Sequence, residues 1–207
     1  CCEPTVKKTV SPQRRRRVFV MLHDIMRAFR PLPKLKTERL VLRRPYLYDT
    51  DDIFFCMSDP SISRFETWET HRSNAETAEF LNGLILKYEK GSCTSWIIER
   101  KSDGRALGMI NLHDIASLSR RAEMGYWIAS DCRRRGYAFE AAFAVMDFGF
   151  NKVGLNRIVG KCAADNEPSA ALMKKLGMVY EGCHREEIWL KNRYADIKIF
   201  AMLKEDW

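Results

Sequence analysis

The spacing of apolar positions changes character along this chain and divides it into alternating strand-like and helix-like segments. Residues 40 to 44 read as a strand. Residues 51 to 57 and 75 to 88 read as two helices around the polar segment 58 to 73. Residues 94 to 99 and 106 to 114 read as a hairpin, because Ser102-Asp103-Gly104 between them is a turn sequence. Residues 122 to 128 carry the aromatic and branched side chains of a buried strand, closed by Ser130-Asp131. Phe139, Ala142, Phe143, Met146 and Phe150 then recur at intervals of three and four, which predicts a helix over residues 137 to 151 with one apolar stripe. A strand at 157 to 163 follows, then a short helix at 169 to 176 that Gly177 is placed to cap. A closing strand pair at 179 to 189 and 194 to 203 completes the pattern. Strands in series followed by helix-linked strands predict an α/β (α+β) domain, with a mixed sheet covered by helices.

Between the strand ending at Ile128 and the long helix lies Arg133-Arg134-Arg135-Gly136-Tyr137-Ala138. A loop entering a helix leaves backbone N–H groups without partners inside the helix, and the helix dipole adds positive potential there. Gly136 lets a ligand approach the backbone, the small Ala138 avoids a clash in the first turn, and the three arginines add charge. The pattern predicts a phosphate cradle. A solvated turn is the alternative for this motif taken alone.

Downstream come the strand-like Leu155-Asn156-Arg157-Ile158-Val159-Gly160-Lys161-Cys162-Ala163, then Asn166-Glu167-Pro168-Ser169 and Lys175-Leu176-Gly177-Met178. Together with Thr37-Glu38-Arg39-Leu40-Val41-Leu42-Arg43, Gly125-Tyr126-Trp127-Ile128, Arg-x-x-Gly-x-Ala at 133 to 138, Glu181-Gly182 and Asp196, they make an ordered set over residues 37 to 207. In that order and spacing the chain resembles the GNAT superfamily of N-acetyltransferases, most strongly its ribosomal-protein (RimJ/RimL-like) branch. The resemblance implies a mostly antiparallel twisted sheet of about seven strands with a splayed centre, flanked by about four helices. It implies acetyl-CoA as co-substrate, with residues 133 to 138 on the pyrophosphate. It further implies that the main chain of Tyr126, Trp127 and Ile128 holds the thioester carbonyl, their side chains being core. Asn166 would bond the pantetheine arm, and Ser169 would lie near the sulfur as a proton donor. A capped helix start accounts for Asn166 and Ser169 equally well, and both roles can coexist.

The chemistry asks for a base that deprotonates the amine and a donor for the oxyanion, with no covalent enzyme intermediate. Glu123 on the central strand is the favoured base, acting through a water. Glu186 and Glu187 lie on a strand that faces substrate in relatives, some of which carry a glutamate where this chain has Ile188. A one-residue slip reverses a strand's face, so Glu187 does not simply inherit that role. At neutral pH an α-amine of pKa ~7.8 is roughly one-seventh neutral and a lysine below about one in a thousand, so an N-terminal amine asks less of a base. Phe65 and Trp68 are expected to wall the acceptor site, with Glu66 and Glu69 attracting its ammonium. Packing under their own loop is the competing reading for the two aromatics.

Net charge is +8 over 207 residues, and all of that excess sits in residues 1 to 36, which leaves the body formally neutral. Residues 1 to 36 are expected to be a basic extension set off by Pro31 and Pro33, and 37 to 207 the catalytic domain. Residues 18 to 29 suit a short amphipathic helix. The extension reads as an arm for RNA or for an acidic surface, or as a tail without function. No methionine opens the chain, so function is not built on residues ahead of Met21. Seven cysteines without a Cys-x-x-Cys pair suggest reduced thiols and a cytoplasmic protein. The histidines show no metal spacing, no apolar stretch is long enough to span a membrane, and no metal or membrane partner is expected. A monomer or homodimer is expected. The expected activity is transfer of acetyl to a primary amine, foremost a protein N-terminal α-amine such as that of a ribosomal protein. A small amine (polyamine, amino sugar or toxin) as acceptor and an inert acyl-CoA-binding module are the alternatives.

Overall fold

The computed structural model describes residues 25–207; most of the expected basic arm lies outside the described residues. The elements are β1 (Leu35–Lys36), β2 (Leu40–Arg43), α1 (Thr50–Met57), α2 (Pro60–Ser63), α3 (Asn74–Glu89), β3 (Ser95–Arg100), β4 (Ala106–Ala116), β5 (Arg121–Ile128), α4 (Tyr137–Phe148), β6 (Arg157–Ala163), α5 (Glu167–Lys175), β7 (Val179–Leu190) and β8 (Arg193–Leu203). The strands form one sheet in the order β1-β2-β3-β4-β5-β6-β8-β7. Every neighbouring pair is antiparallel except β5–β6.

Among the described residues the sheet has eight strands rather than about seven. The additional one, β1, falls at the end of the expected extension, where Leu35 and Lys36 pair with Leu42 and Val41. The same stretch contributes Ile25, Phe29 and Leu32 to the main core, each under 7% exposed. Phe29 packs edge-on against Phe148, and the indole N–H of Trp96 donates to the carbonyl of Pro33 at 2.7 Å. Residues 25 to 36 are thus packed on the body. Charge and prolines marked them as an appendage, but the apolar residues spaced between the charges found a face to bury.

Helices also exceed the expected four, since α2 lies in the segment read as polar. Asp59 caps it by accepting from the Ser61 N–H at 2.8 Å, and Pro60 opens it, a position where the missing N–H costs nothing. The long helix is α-helical from Tyr137 to Phe148. It then widens into a π turn, Gly149–Val153, which Gly154 ends at φ 75°.

Each face of the sheet has its own cover. On one, Leu40, Leu42, Trp96, Ile98, Ile110 and Leu112 pack against Ala142, Val145 and Met146 of α4. On the other, Ile97 and Met109 pack against Ile53 and Met57 of α1 and Leu81 and Leu84 of α3. The second cover stops short of β6, β8 and β7, where a small cluster of Ala163, Leu190, Ala195 and Ile197 is met only by loop and strand side chains. That half-open face and the parallel junction at its edge position the site. Among the described residues no helix is long and apolar enough to cross a membrane.

Candidate active site

The parallel register of β5 and β6 runs from Arg121 opposite Arg157 only as far as Met124 opposite Gly160. Beyond it β5 continues to Ile128 along β4, while β6 continues to Ala163 along β8, so the two strands part and leave a cleft. This is the expected splayed centre. The N–H of Ala129 donates to the Leu107 carbonyl and that of Gly125 to the Asn111 side chain, so odd-numbered amides of β5 face β4. Strand alternation therefore turns the N–H groups of Tyr126 and Ile128 toward the cleft and that of Trp127 toward β4. Donors so placed suit a thioester carbonyl.

At the end of β5 the chain passes through residues 133 to 138 into α4. Arg134 takes φ 60° and Gly136 φ 81°, two successive departures into the left-handed region. Among the described residues no side chain caps α4 or α1, whereas Asp59, Ser73 and Asn166 cap α2, α3 and α5. The first-turn amides, those of Tyr137 and Ala138 among them, are left for an anion, which fits the pyrophosphate expected there. A Cβ at Gly136 would stand 3.3 Å from the Arg39 guanidinium. Arg39 is a residue the sequence reading missed. It donates to the Arg135 carbonyl at 2.9 Å, pairs with Glu140 at 2.7 Å and lies over the Tyr137 ring, while Glu140 also accepts from Thr37 at 2.5 Å. The opening of the sheet thus clamps the loop from below. Arg134 and Arg135 are exposed, but the Arg133 guanidinium is turned away to the Ser61 carbonyl of α2 at 3.2 Å.

Across the cleft, Asn166 caps α5 by accepting from the Ser169 N–H at 3.3 Å, which leaves its amide group available to a ligand. The Ser169 hydroxyl meets the Tyr126 hydroxyl at 2.9 Å. Burial pushes the Tyr126 phenol up to about 12, so it keeps its proton at neutral pH. The Tyr126 side chain, read from sequence as core, therefore brings a hydroxyl to the site. A buried tyrosine hydroxyl needs a partner, and that requirement was the available signal.

Glu123 faces the half-open side, 12% exposed, within 3.4 Å of Lys161 Nζ and 4.0 Å of both Arg121 and His113 Nε2. Its Oε2 is buried without a hydrogen-bond partner among the described residues. Lys161 also lies 3.6 Å from Glu187, which reaches His184 at 2.5 Å. Glu187 joins this row because β7 bulges: between His184 and Ile188 the register slips against β8, and Glu186 takes φ 52°. Ile188 itself packs against the small apolar cluster.

Residues 64 to 69 arch over the same face. Phe65 packs on the cluster of Ala163, Ala195 and Ile197, and Trp68 bridges the two larger cores. Packing under the loop is thus real for both aromatics. Lys191, from the β7–β8 turn, donates to the Trp68 carbonyl at 2.7 Å and pairs with Glu69 at 2.9 Å. Among the described residues no group of three His, Cys, Asp or Glu could hold a metal ion.

Residues 39–179 match the family model described as an acetyltransferase (GNAT) domain. The chain belongs to the GNAT family. The uncharacterized N-acetyltransferase YoaA of Bacillus subtilis is 31% identical over 172 residues, covering 83% of this chain and 97% of its own length. The ribosomal-protein-serine acetyltransferase of Escherichia coli is 25% identical over 132 residues, 64% of this chain and 73% of its own. Among solved structures, a GNAT-family acetyltransferase from Bacillus anthracis superposes with a TM-score of 0.76 at 25% identity, over 84% of this chain and 99% of that one. As a GNAT protein the chain is an N-acetyltransferase whose acetyl donor is acetyl-CoA, and the cleft between β5 and β6 with the uncapped start of α4 fits that donor.

Proposed function

We propose that this GNAT enzyme acetylates a protein N-terminal α-amine, with acetyl-CoA and the acceptor bound together. The observation that carries the reading is the two-sided cleft. The anion-binding start of α4 and the capped start of α5 serve it on one side, and a loop bearing carboxylates overhangs it on the other. The similarity to the Escherichia coli ribosomal-protein-serine acetyltransferase supports this class of acceptor. So does the modest demand an α-amine makes on a base.

Residues 133 to 138 would hold the pyrophosphate, with the charge of Arg134 and Arg135 nearby, and Asn166 the pantetheine amides. The amides of Tyr126 and Ile128 would receive the charge developing on the carbonyl oxygen. The ammonium gives a proton through water to Glu123. The freed nitrogen lone pair then forms the C–N bond as the C–S bond breaks; the thiolate takes a proton from the Ser169–Tyr126 hydroxyl pair, the second proton lost by the nitrogen passes through water to restore that pair, and Glu123 releases its proton to solvent. Phe65 and Trp68 would wall the acceptor's path.

The test is calorimetric titration with acetyl-CoA, followed by CoA thiol release against N-terminal peptides, polyamines and amino sugars. Turnover with peptides alone is the expected result. Turnover only with a small amine overturns the choice of acceptor.

A further inference from the structure

Glu123 precedes Tyr126 on β5, and the way from its carboxylate to the amides that face the cleft runs over Gly125, its neighbour on the same face of the strand. Gly125 has no side chain to block that way, and two residues of β4 stand over it: Asn111 lies opposite Gly125, and His113 lies opposite Glu123. A Cβ at Gly125 would meet Asn111 Oδ1 at 2.8 Å and His113 Nε2 at 3.4 Å. Asn111 Oδ1 is spent on the Gly125 N–H at 3.2 Å. His113 Nε2 faces Glu123 Oε1 at 4.0 Å, beyond a direct hydrogen bond. The two oxygens of Glu123 are thus divided between neighbours. Lys161 and Arg121 make their closest approach at Oε2, 3.4 and 4.0 Å away, and His113 makes its own at Oε1. On the other side of the ring, His113 Nδ1 lies 3.4 Å from the Asp114 carboxylate, which favours the proton on Nδ1 and leaves Nε2 a lone pair.

We propose that His113 and Glu123 together seat the water through which the acceptor amine loses its proton, which makes His113 a positioning residue for the reaction. This rests on Glu123 serving as the base. A gap of 4.0 Å is one that a single water spans with two hydrogen bonds of about 2.8 Å. Both flanking groups are acceptors. The water therefore gives one hydrogen to Glu123 Oε1 and the other to His113 Nε2, and its oxygen lone pairs are left for the ammonium. A proton of the ammonium passes to that oxygen as the water's own hydrogen passes to Oε1. The nitrogen keeps the electron pair of the broken N–H bond, and the carboxylate becomes a carboxylic acid. Lys161 and Arg121 hold the carboxylate from the Oε2 side, off this path.

Steady-state acetylation of a peptide α-amine by wild type, His113→Leu, His113→Gln, Glu123→Gln and the Glu123→Gln/His113→Leu double variant tests this. His113→Leu is expected to lower kcat about tenfold and to raise the solvent deuterium isotope effect on kcat, with acceptor KM and acetyl-CoA affinity little changed. His113→Gln restores most of the rate, because its side-chain carbonyl takes the water's hydrogen where Nε2 did. The double variant is no slower than Glu123→Gln alone, since both residues act on one water. Wild-type kcat in His113→Leu, equal losses in His113→Leu and His113→Gln, or losses that multiply in the double variant each overturn the proposal and leave Glu123 as the base. Wild-type turnover in Glu123→Gln overturns the base and the water seat together, as does the absence of turnover with every amine.

Discussion

Gly136 carries two demands at one position, a left-handed φ of 81° and close approach to the Arg39 guanidinium, which a Cβ there would meet at 3.3 Å. Gly136→Val is expected to weaken acetyl-CoA binding by about tenfold or more, measured by calorimetry, and to lower the melting temperature, because a β-branched side chain is strained at a left-handed φ. Tyr126→Phe removes the partner of the Ser169 hydroxyl at a cost of about 1 kcal/mol in stability. It should also lower kcat at unchanged acetyl-CoA affinity. Glu123→Gln should reduce kcat on the order of 10²-fold while acetyl-CoA binds as before, and wild-type turnover in that variant would remove Glu123 as the base. The left-handed turn into an uncapped helix start was legible from residue types because it depends on local backbone chemistry. Arg39 and Glu140 were not: 101 positions separate them, and neither has a local signature.

Elements with a regular period were the legible ones. The hairpin of β3 and β4 followed from Ser102-Asp103-Gly104, and Gly104 indeed turns with φ 72°. The stripe of α4 followed from its three-and-four spacing at Ala142, Met146 and Phe150, but Phe143 is 49% exposed, and Ala141, Val145 and Phe148 complete the buried face up to the π turn that Gly154 ends. The β7 bulge escaped because Arg185, Glu186 and Glu187 interrupt the alternation, and a strand's face cannot be tracked through an interruption. β1 escaped because two residues carry no period at all. The clamp that joins β2 to the start of α4 through Arg39 and Glu140 can be weighed by a double-mutant cycle. Alanine at each position and at both should show a stability coupling of about 1 kcal/mol, at the modest end because Arg39 is 43% exposed. Arg39→Ala should also loosen acetyl-CoA, since the Arg135 carbonyl loses its donor.

At the scale of the whole molecule the boundary drawn from charge does not coincide with the boundary drawn from burial. Phe29 is 1% exposed against Trp96 and Phe148, and Phe29→Ala should cost about 3–5 kcal/mol by thermal or denaturant unfolding. Removing residues 1 to 36 should lower the melting temperature sharply, because it strips Ile25, Phe29 and Leu32 from the core and β1 from the sheet.

The bond from the Arg133 guanidinium to the Ser61 carbonyl ties the donor's loop to the helix that leads directly into the acceptor's loop. A pyrophosphate that drew Arg133 to itself would have to break that tie, so occupancy of the loop would be felt at Ser61. Arg133→Met removes the tie, and any dependence of acceptor KM on bound acetyl-CoA seen in wild type should then fall.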